Sequence, residues 1–299
     1  MSSSPSLPTF FILGAGRCGT TSLAGHLRRH PRIFIPAIKE PSFFASSFQW
    51  IRDPGKYVDL YADVDCATQL GDASHIYLED PKSPQILEAF FPNARFVLMF
   101  RNPADRALAM YAQMIEGGYE SASTFEKGLA AEDSRFESER FRKNCPHSFW
   151  NFMYFRSGLF GQQVARYLER WPRDRFYATT MYEYLYQPER VTAEISEFLG
   201  IDQVDLGSVP HYGSSKGTRS RHAQYVERRL LRPLTRRNVP GAGAARDLLN
   251  GWNHTATKPT MRSDTRELLM ERYTADLKRL EELLGVDVLG QELAAARRG

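Results

Sequence analysis

The sequence predicts an α/β fold, a central parallel sheet flanked by helices, on three observations. Phe10-Phe11-Ile12-Leu13 is a short apolar run that breaks into a glycine-rich turn, after which Leu23 and Leu27 recur at helical spacing. Arg95-Phe96-Val97-Leu98-Met99-Phe100 is a second such run, ending at Arg101-Asn102-Pro103 with a helical stretch over 105–113 behind it. Residues 175–180 read as a third strand, followed by a turn at Gln187-Pro188 and an amphipathic stretch over 191–199 that Gly200 stops. Apolar strands alternating with helices are the pattern of buried parallel strands joined by right-handed crossovers.

The remaining stretches complete one predicted domain over 1–299, of which 9–201 is the ligand-binding core. Residues 211–260 hold Gly213-Ser214-Ser215-Lys216-Gly217, arginines clustered over 219–237 and Gly241-Ala242-Gly243, and read as a basic loop or lid. Over 262–285 a helical period returns through Leu268, Leu269, Tyr273, Leu277 and Leu280, closed by Gly285, as expected of a packing helix.

Composition narrows the partners. The 299 residues are 42% hydrophobic and carry a net charge of only +4, too weak a field to argue for nucleic acid. Arg supplies 31 of the 39 basic residues, and its planar fork suits phosphate and sulfate oxygens. Cys18, Cys66 and Cys145 are odd in number and lack C-x-x-C spacing, which argues against a disulfide framework or a zinc site and points to a reducing cytoplasm. The run over 10–13 is far shorter than a signal peptide core or a transmembrane span.

Gly14-x-x-x-x-Gly19-Thr20-Thr21 has the spacing of a phosphate-binding loop, in which backbone N–H groups and a helix N-terminus cradle anionic oxygens. Thr20 stands where a nucleotide triphosphatase needs its Lys, Arg17 supplies a cation instead, and the strongest later strand ends in Arg101 rather than a magnesium-binding acid. The loop therefore reads as built for an anion without a metal. A P-loop kinase and a non-catalytic module for anionic ligands are the alternatives.

Here the residues resemble a family. Arg17-Cys18-Gly19-Thr20-Thr21-Ser22-Leu23 resembles the 5′-phosphosulfate loop of sulfotransferases that use 3′-phosphoadenosine 5′-phosphosulfate (PAPS), and Arg101-Asn102-Pro103-Ala104-Asp105-Arg106-Ala107 resembles their 3′-phosphate motif. Lys39-Glu40-Pro41-Ser42-Phe43-Phe44 is similar to the Glu-Pro-His-Phe-Phe segment of heparan sulfate sulfotransferases, and Tyr182-Glu183-Tyr184-Leu185 to the family's Tyr-Glu-Asp-Leu. There are two departures. Ala109 stands where the family often has a Ser that meets the 3′-phosphate, and Gly71-Asp72-Ala73-Ser74-His75 replaces the Lys-Thr-Pro-Ser of the glycan enzymes.

The resemblance implies PAPS as donor, adenosine 3′,5′-bisphosphate as product, no metal, and an acceptor that is a small molecule, a glycan or a lipid. Arg17, Cys18, Gly19, Thr20, Thr21 and Ser22 would hold the 5′ end; Arg101, Tyr182, Lys216, Gly217 and Arg219 would hold the nucleotide and its 3′-phosphate. Arg17 would also neutralise the leaving oxygen. Glu40, Asp72 and His75 are the candidate bases, with Glu40 preferred and Pro41, Phe43 and Phe44 expected to desolvate it and raise its pKa.

Overall fold

The computed structural model describes residues 7–62, 64, 68–209, 217–255 and 257–290, so Cys66 and Lys216 lie outside the described residues. The chain divides into two compact units, one of Met1–Pro103, Leu159–Tyr212 and Tyr273–Gly299, the other of Ala104–Gly158 and Gly213–Arg272.

The first unit carries the predicted sheet. Its strands are β1 (Phe10–Gly14), β2 (Ile33–Phe34), β3 (Gln69–Ala73), β4 (Arg95–Phe100) and β5 (Phe176–Thr180), in the spatial order β2-β3-β1-β4-β5. Every pairing is parallel, with Phe10 opposite Gly71 on one side and Arg95 on the other, and Phe96 opposite Phe176. Apolar side chains cover both faces. Phe11, Phe96, Tyr167 and Trp171 meet as a ring cluster, while Leu23 and Leu27 of α1 (Thr20–Leu27) join Val97, Met99 and Ile195 in another buried group. Such two-sided burial is why the strands read as unbroken apolar runs.

β3 is the exception in sequence. Its Gln-Leu-Gly-Asp-Ala carries no apolar run, and Gly71 is there for space: a Cβ would meet the Phe10 ring at 2.5 Å and the Ile35 side chain at 2.9 Å. Because the strands are parallel, the carboxyl ends of β3, β1 and β4 come out side by side on one edge. That edge is where open α/β sheets bind ligands.

The second unit is largely helical and buries an ion pair: Glu120 accepts from both Arg135 nitrogens at 2.8 and 2.7 Å and from the Tyr154 hydroxyl at 2.6 Å. Much of the stretch expected to be a loop is helix. Gly217–Thr218 pairs antiparallel with His254–Thr255, and between them run the helical stretch 221–236, with a π turn at Glu227–Leu231, and the helix Ala242–Asn253. Gly217 serves close approach rather than freedom, since a Cβ would sit 1.7 Å from the Thr257 carbonyl oxygen.

The helix Ser263–Leu284 matches the expected packing helix and buries Leu269, Tyr273, Leu277 and Leu280. Leu268, counted with that period, is exposed instead. Among the described residues no helix is long and apolar enough to cross a membrane.

Candidate functional site

Three segments leave the carboxyl edge of the first unit at neighbouring strands: the loop after β1, Ser74-His75 after β3, and Arg101 after β4. The loop is shaped by positive φ angles at Gly14 (132°), Arg17 (67°) and Gly19 (91°). Arg17 is the costly one, because a side chain in the left-handed region crowds its own carbonyl. Ala15 N–H is tied back to the Met99 carbonyl oxygen at 2.8 Å, fixing the loop to β4.

Gly19 precedes α1 with no side chain to cap it, and the Leu23 N–H is the one that returns to the Gly19 carbonyl, at 3.1 Å. The first-turn N–H groups of Thr20 and Thr21 therefore point out of the helix end toward any anion in the loop. Thr20 is buried, whereas Thr21 and Ser22 are partly open. Cys18 is fully buried, and its thiol lies 3.7 Å from the Gly16 carbonyl oxygen. That is the setting of a small filler rather than a nucleophile.

The three candidate bases fall into two arrangements. Glu40 pairs with the His75 Nδ1 at 2.9 Å and with the Lys39 ammonium, and its side chain is 31% exposed. Burial opposes its charge, but His75 and Lys39 together outweigh that and hold the carboxyl well below the usual range. The expectation that its apolar neighbours raise the Glu40 pKa is thus corrected. Two cations beside it decide the sign. Burial works against charge on His75 too, yet Glu40, with help from Glu79, pushes it up to about 9.

Asp72 is 0% exposed and accepts from Tyr57 at 2.8 Å, Tyr77 at 2.9 Å and Ser74 at 2.7 Å. Burial lifts it to about 6, and its three neutral donors offset only part of that. Its geometry is that of an anchor. The Ser74 hydroxyl in turn accepts the Ser42 N–H at 3.1 Å, and the Glu40 N–H bonds the Ala73 carbonyl oxygen at 3.1 Å. These bonds hold Glu40 and Ser42 at φ of 62° and 54°, a strained turn that aims the Glu40 side chain.

Gly16 joins the loop to this pair. A Cβ at Gly16 would meet His75 Cδ2 at 2.6 Å and Glu79 Oε1 at 3.1 Å, so the phosphate-type loop lies directly on the His75 ring. Sequence reasoning missed Gly16, Ser74, Tyr57, Tyr77 and Glu79. Glu79 had a signal, four residues after His75 at the start of a helix.

Arg101 follows β4 partly exposed, and no described residue pairs with it. Tyr182 is the second residue of the helix Met181–Tyr186, whose start is fixed by a capping box between Thr180 and Glu183, and Met181 packs against Gly19. Gly217 and Arg219 belong to the second unit, where the Arg219 N–H bonds the Asn253 carbonyl oxygen at 2.8 Å. Lys216 lies outside the described residues.

The chain is similar to known proteins. A solved sulfotransferase from Alicyclobacillus acidocaldarius is 27% identical with a TM-score of 0.70, over 96% of this chain and 99% of that one. Human heparan sulfate glucosamine 3-O-sulfotransferase 6 is 23% identical over 70% of this chain and 57% of its own length. The membrane-associated sulfotransferase kil1 of Dictyostelium discoideum is 29% identical over 35% of this chain and 22% of its own. The chain thus spans well under two thirds of these curated relatives. The family described as the sulfotransferase domain matches residues 7–232, which take in the loop, the Glu40–His75 pair and Arg101, and the chain belongs to that family.

Proposed function

We propose that the chain transfers a sulfuryl group from PAPS to a hydroxyl or amine of a small-molecule, glycan or lipid acceptor. The observation that carries this is the contact of Gly16 with His75, which sets an anion-binding loop beside a carboxylate–imidazole pair. The residues fit the donor. Arg17 and the N–H groups of Gly19, Thr20 and Thr21, with the Ser22 hydroxyl, would hold its 5′-phosphosulfate end, and Arg101 its 3′-phosphate. Bound there, PAPS supplies an activated sulfuryl group. Free thiols at Cys18 and Cys145 support a cytoplasmic setting.

Glu40 takes the acceptor proton. His75, held up near 9, is already protonated at neutral pH and has no capacity left to act as base. Each Glu40 oxygen keeps a lone pair beyond its bond to His75 or Lys39, so the carboxylate accepts a proton without leaving its partners. A carboxylate of low pKa suffices, because the acceptor proton becomes strongly acidic as the acceptor oxygen or nitrogen gives its electrons to sulfur. Arg17 offsets charge on the departing nucleotide.

Calorimetry with adenosine 3′,5′-bisphosphate in the presence of a chelator tests the donor site. Binding is expected without metal, and Arg101→Ala should weaken it by ~10–100-fold. Binding that needs magnesium, or that prefers ATP, would return the chain to the kinase reading. Labelled PAPS offered with an acceptor library identifies the acceptor.

A further inference from the structure

The second unit holds a surface that the transfer reaction leaves unused. The helical run 221–236 and the helix Ala242–Asn253 pack as a hairpin pinned by Glu227, which is buried and accepts from Arg232 at 2.8 Å and Arg246 at 2.7 Å. Residues 217–255 contain eight arginines against two acids, Glu227 and Asp247. With Glu227 consumed inside the hairpin, the outer surface is strongly cationic.

Part of that charge converges. A cleft of about 340 Å³ is lined by Arg228, Arg232, Arg236 and Arg237 with Tyr119 and Pro146, and no acid among the described residues lines it. Arg228 is held in place, its Nε donating to the Gly118 carbonyl oxygen at 2.8 Å and its guanidinium lying 4.9 Å over the Tyr119 ring. Arg236 and Arg237 are exposed, and no described residue forms an ion pair with either. The cleft offers a fork of donors to a phosphate or sulfate monoester.

Apolar side chains of the same hairpin are exposed as well. Val226, Leu230 and Leu234 follow one another at four-residue spacing along the outer face of the first helical run, and Val239 sits in the turn. Leu248 is 78% exposed and Trp252 is 53% exposed, again four residues apart. A monomer in water gains nothing by leaving these side chains open together. Exposed apolar residues and an aromatic among arginines are the composition of a helix that lies in a membrane interface.

We propose that this hairpin docks on an anionic lipid bilayer, with the arginine cleft taking a phosphate-bearing headgroup and Val226, Leu230, Leu234, Val239, Leu248 and Trp252 entering the interface. Charge complementarity selects this occupant. A second copy of the chain would bring the same arginines against themselves, and a neutral partner would leave the cleft without counter-charge. The proposal concerns the second unit alone and stands whether or not the chain uses PAPS.

Co-sedimentation with vesicles of phosphatidylcholine, with and without about one third phosphatidylserine, is the test. The full chain should sediment with the anionic vesicles, remain in solution with the neutral ones, and be released by high salt. Trp252 emission should move to the blue on binding, a shift lost in Trp252→Phe. Arg236→Glu with Arg237→Glu should lower the bound fraction about tenfold or more, and Leu234→Ser with Leu248→Ser should lower it as well, each with circular dichroism melts unchanged. The wild-type comparison of the two vesicle types and of low against high salt decides the question without any variant. No binding to anionic vesicles at low salt, or equal binding to neutral ones, overturns the proposal. So does release of bound chain by millimolar inorganic phosphate at constant ionic strength, which would mark a free-anion site. A dimer in sedimentation velocity that Leu234→Ser dissociates would assign the surface to a second copy instead.

Discussion

Glu40 and Asp72 are both carboxylates at the same sheet edge, both under pressure from burial, and their pKa values move in opposite directions. Glu40 is lowered because its partners, His75 and Lys39, are cations. Asp72 rises to about 6 because its partners are the hydroxyls of Tyr57, Tyr77 and Ser74, which carry no net charge. Hydroxyl donors satisfy lone pairs without cancelling the cost of a buried charge, whereas an ammonium or imidazolium does both. The consequence is a division of labour. Glu40 is the charged group paired with the imidazole that lies on the loop, and Asp72, through Ser74 and Ser42, holds the strained turn on which Glu40 sits.

The largest test of that division is Glu40→Gln, which keeps the shape and removes the proposed base. Turnover should fall by ~10²–10⁴ with affinity for adenosine 3′,5′-bisphosphate nearly unchanged, because a base acts on the acceptor. Steady-state kinetics beside calorimetry reads both. Near-normal turnover in this variant together with a dead His75→Gln would reverse the roles of the pair.

The parts of this edge that the sequence revealed are those encoded locally. β1 and β4 are apolar because both sheet faces are covered, and the loop carries its own glycines, so each could be found from a few adjacent residues. β3 escaped because Gly71 and Asp72 interrupt it for packing and anchoring reasons that involve Phe10, Tyr57 and Tyr77. Glu40, Asp72 and His75 could be listed together but not told apart, since what separates them is the charge on partners brought in by the fold. Residues 217–255 misled in the other direction. Their glycines, prolines and arginines look like loop, and their helices leave apolar residues on the outside, so the usual amphipathic sign is blurred.

Asp72→Asn should cost less in turnover and more in stability than Glu40→Gln. Exchanging one carboxylate oxygen for an amide strands a donor against Tyr or Ser hydroxyls inside the core, a loss of ~1–3 kcal/mol in denaturant unfolding. The sign of the pH effect follows from the raised pKa. A folded carboxyl that titrates near 6 rather than near 3.8 holds its proton more tightly than the unfolded chain does, so its contribution is present at low pH and is lost as pH rises from about 4 to 6. The Asn variant should flatten that interval. Ser74→Ala, which cuts the relay to Ser42 and removes one of the three donors to Asp72, should lower kcat and cost less in unfolding than Asp72→Asn. Equal loss of stability in both variants would mean that Ser74 supports the core rather than the turn.

His75 gives the sharpest sign. Its folded pKa of about 9 lies above the ordinary 6.5, so the protonated imidazole paired with Glu40 stabilises the fold fully below pH 6.5, and that contribution is lost as pH rises through 9. The Asp72 contribution runs out at lower pH, so the two windows do not overlap. His75→Gln should remove the slope between pH 6.5 and 9, worth roughly 1–3 kcal/mol, and leave the slope between 4 and 6 untouched. Thermal melts of the wild type, Asp72→Asn and His75→Gln across that range separate the two carboxylates. If His75→Gln left the alkaline slope in place, the imidazole would be neutral in the resting protein, free to accept a proton, and Glu40 would lose its claim to be the only base at the edge.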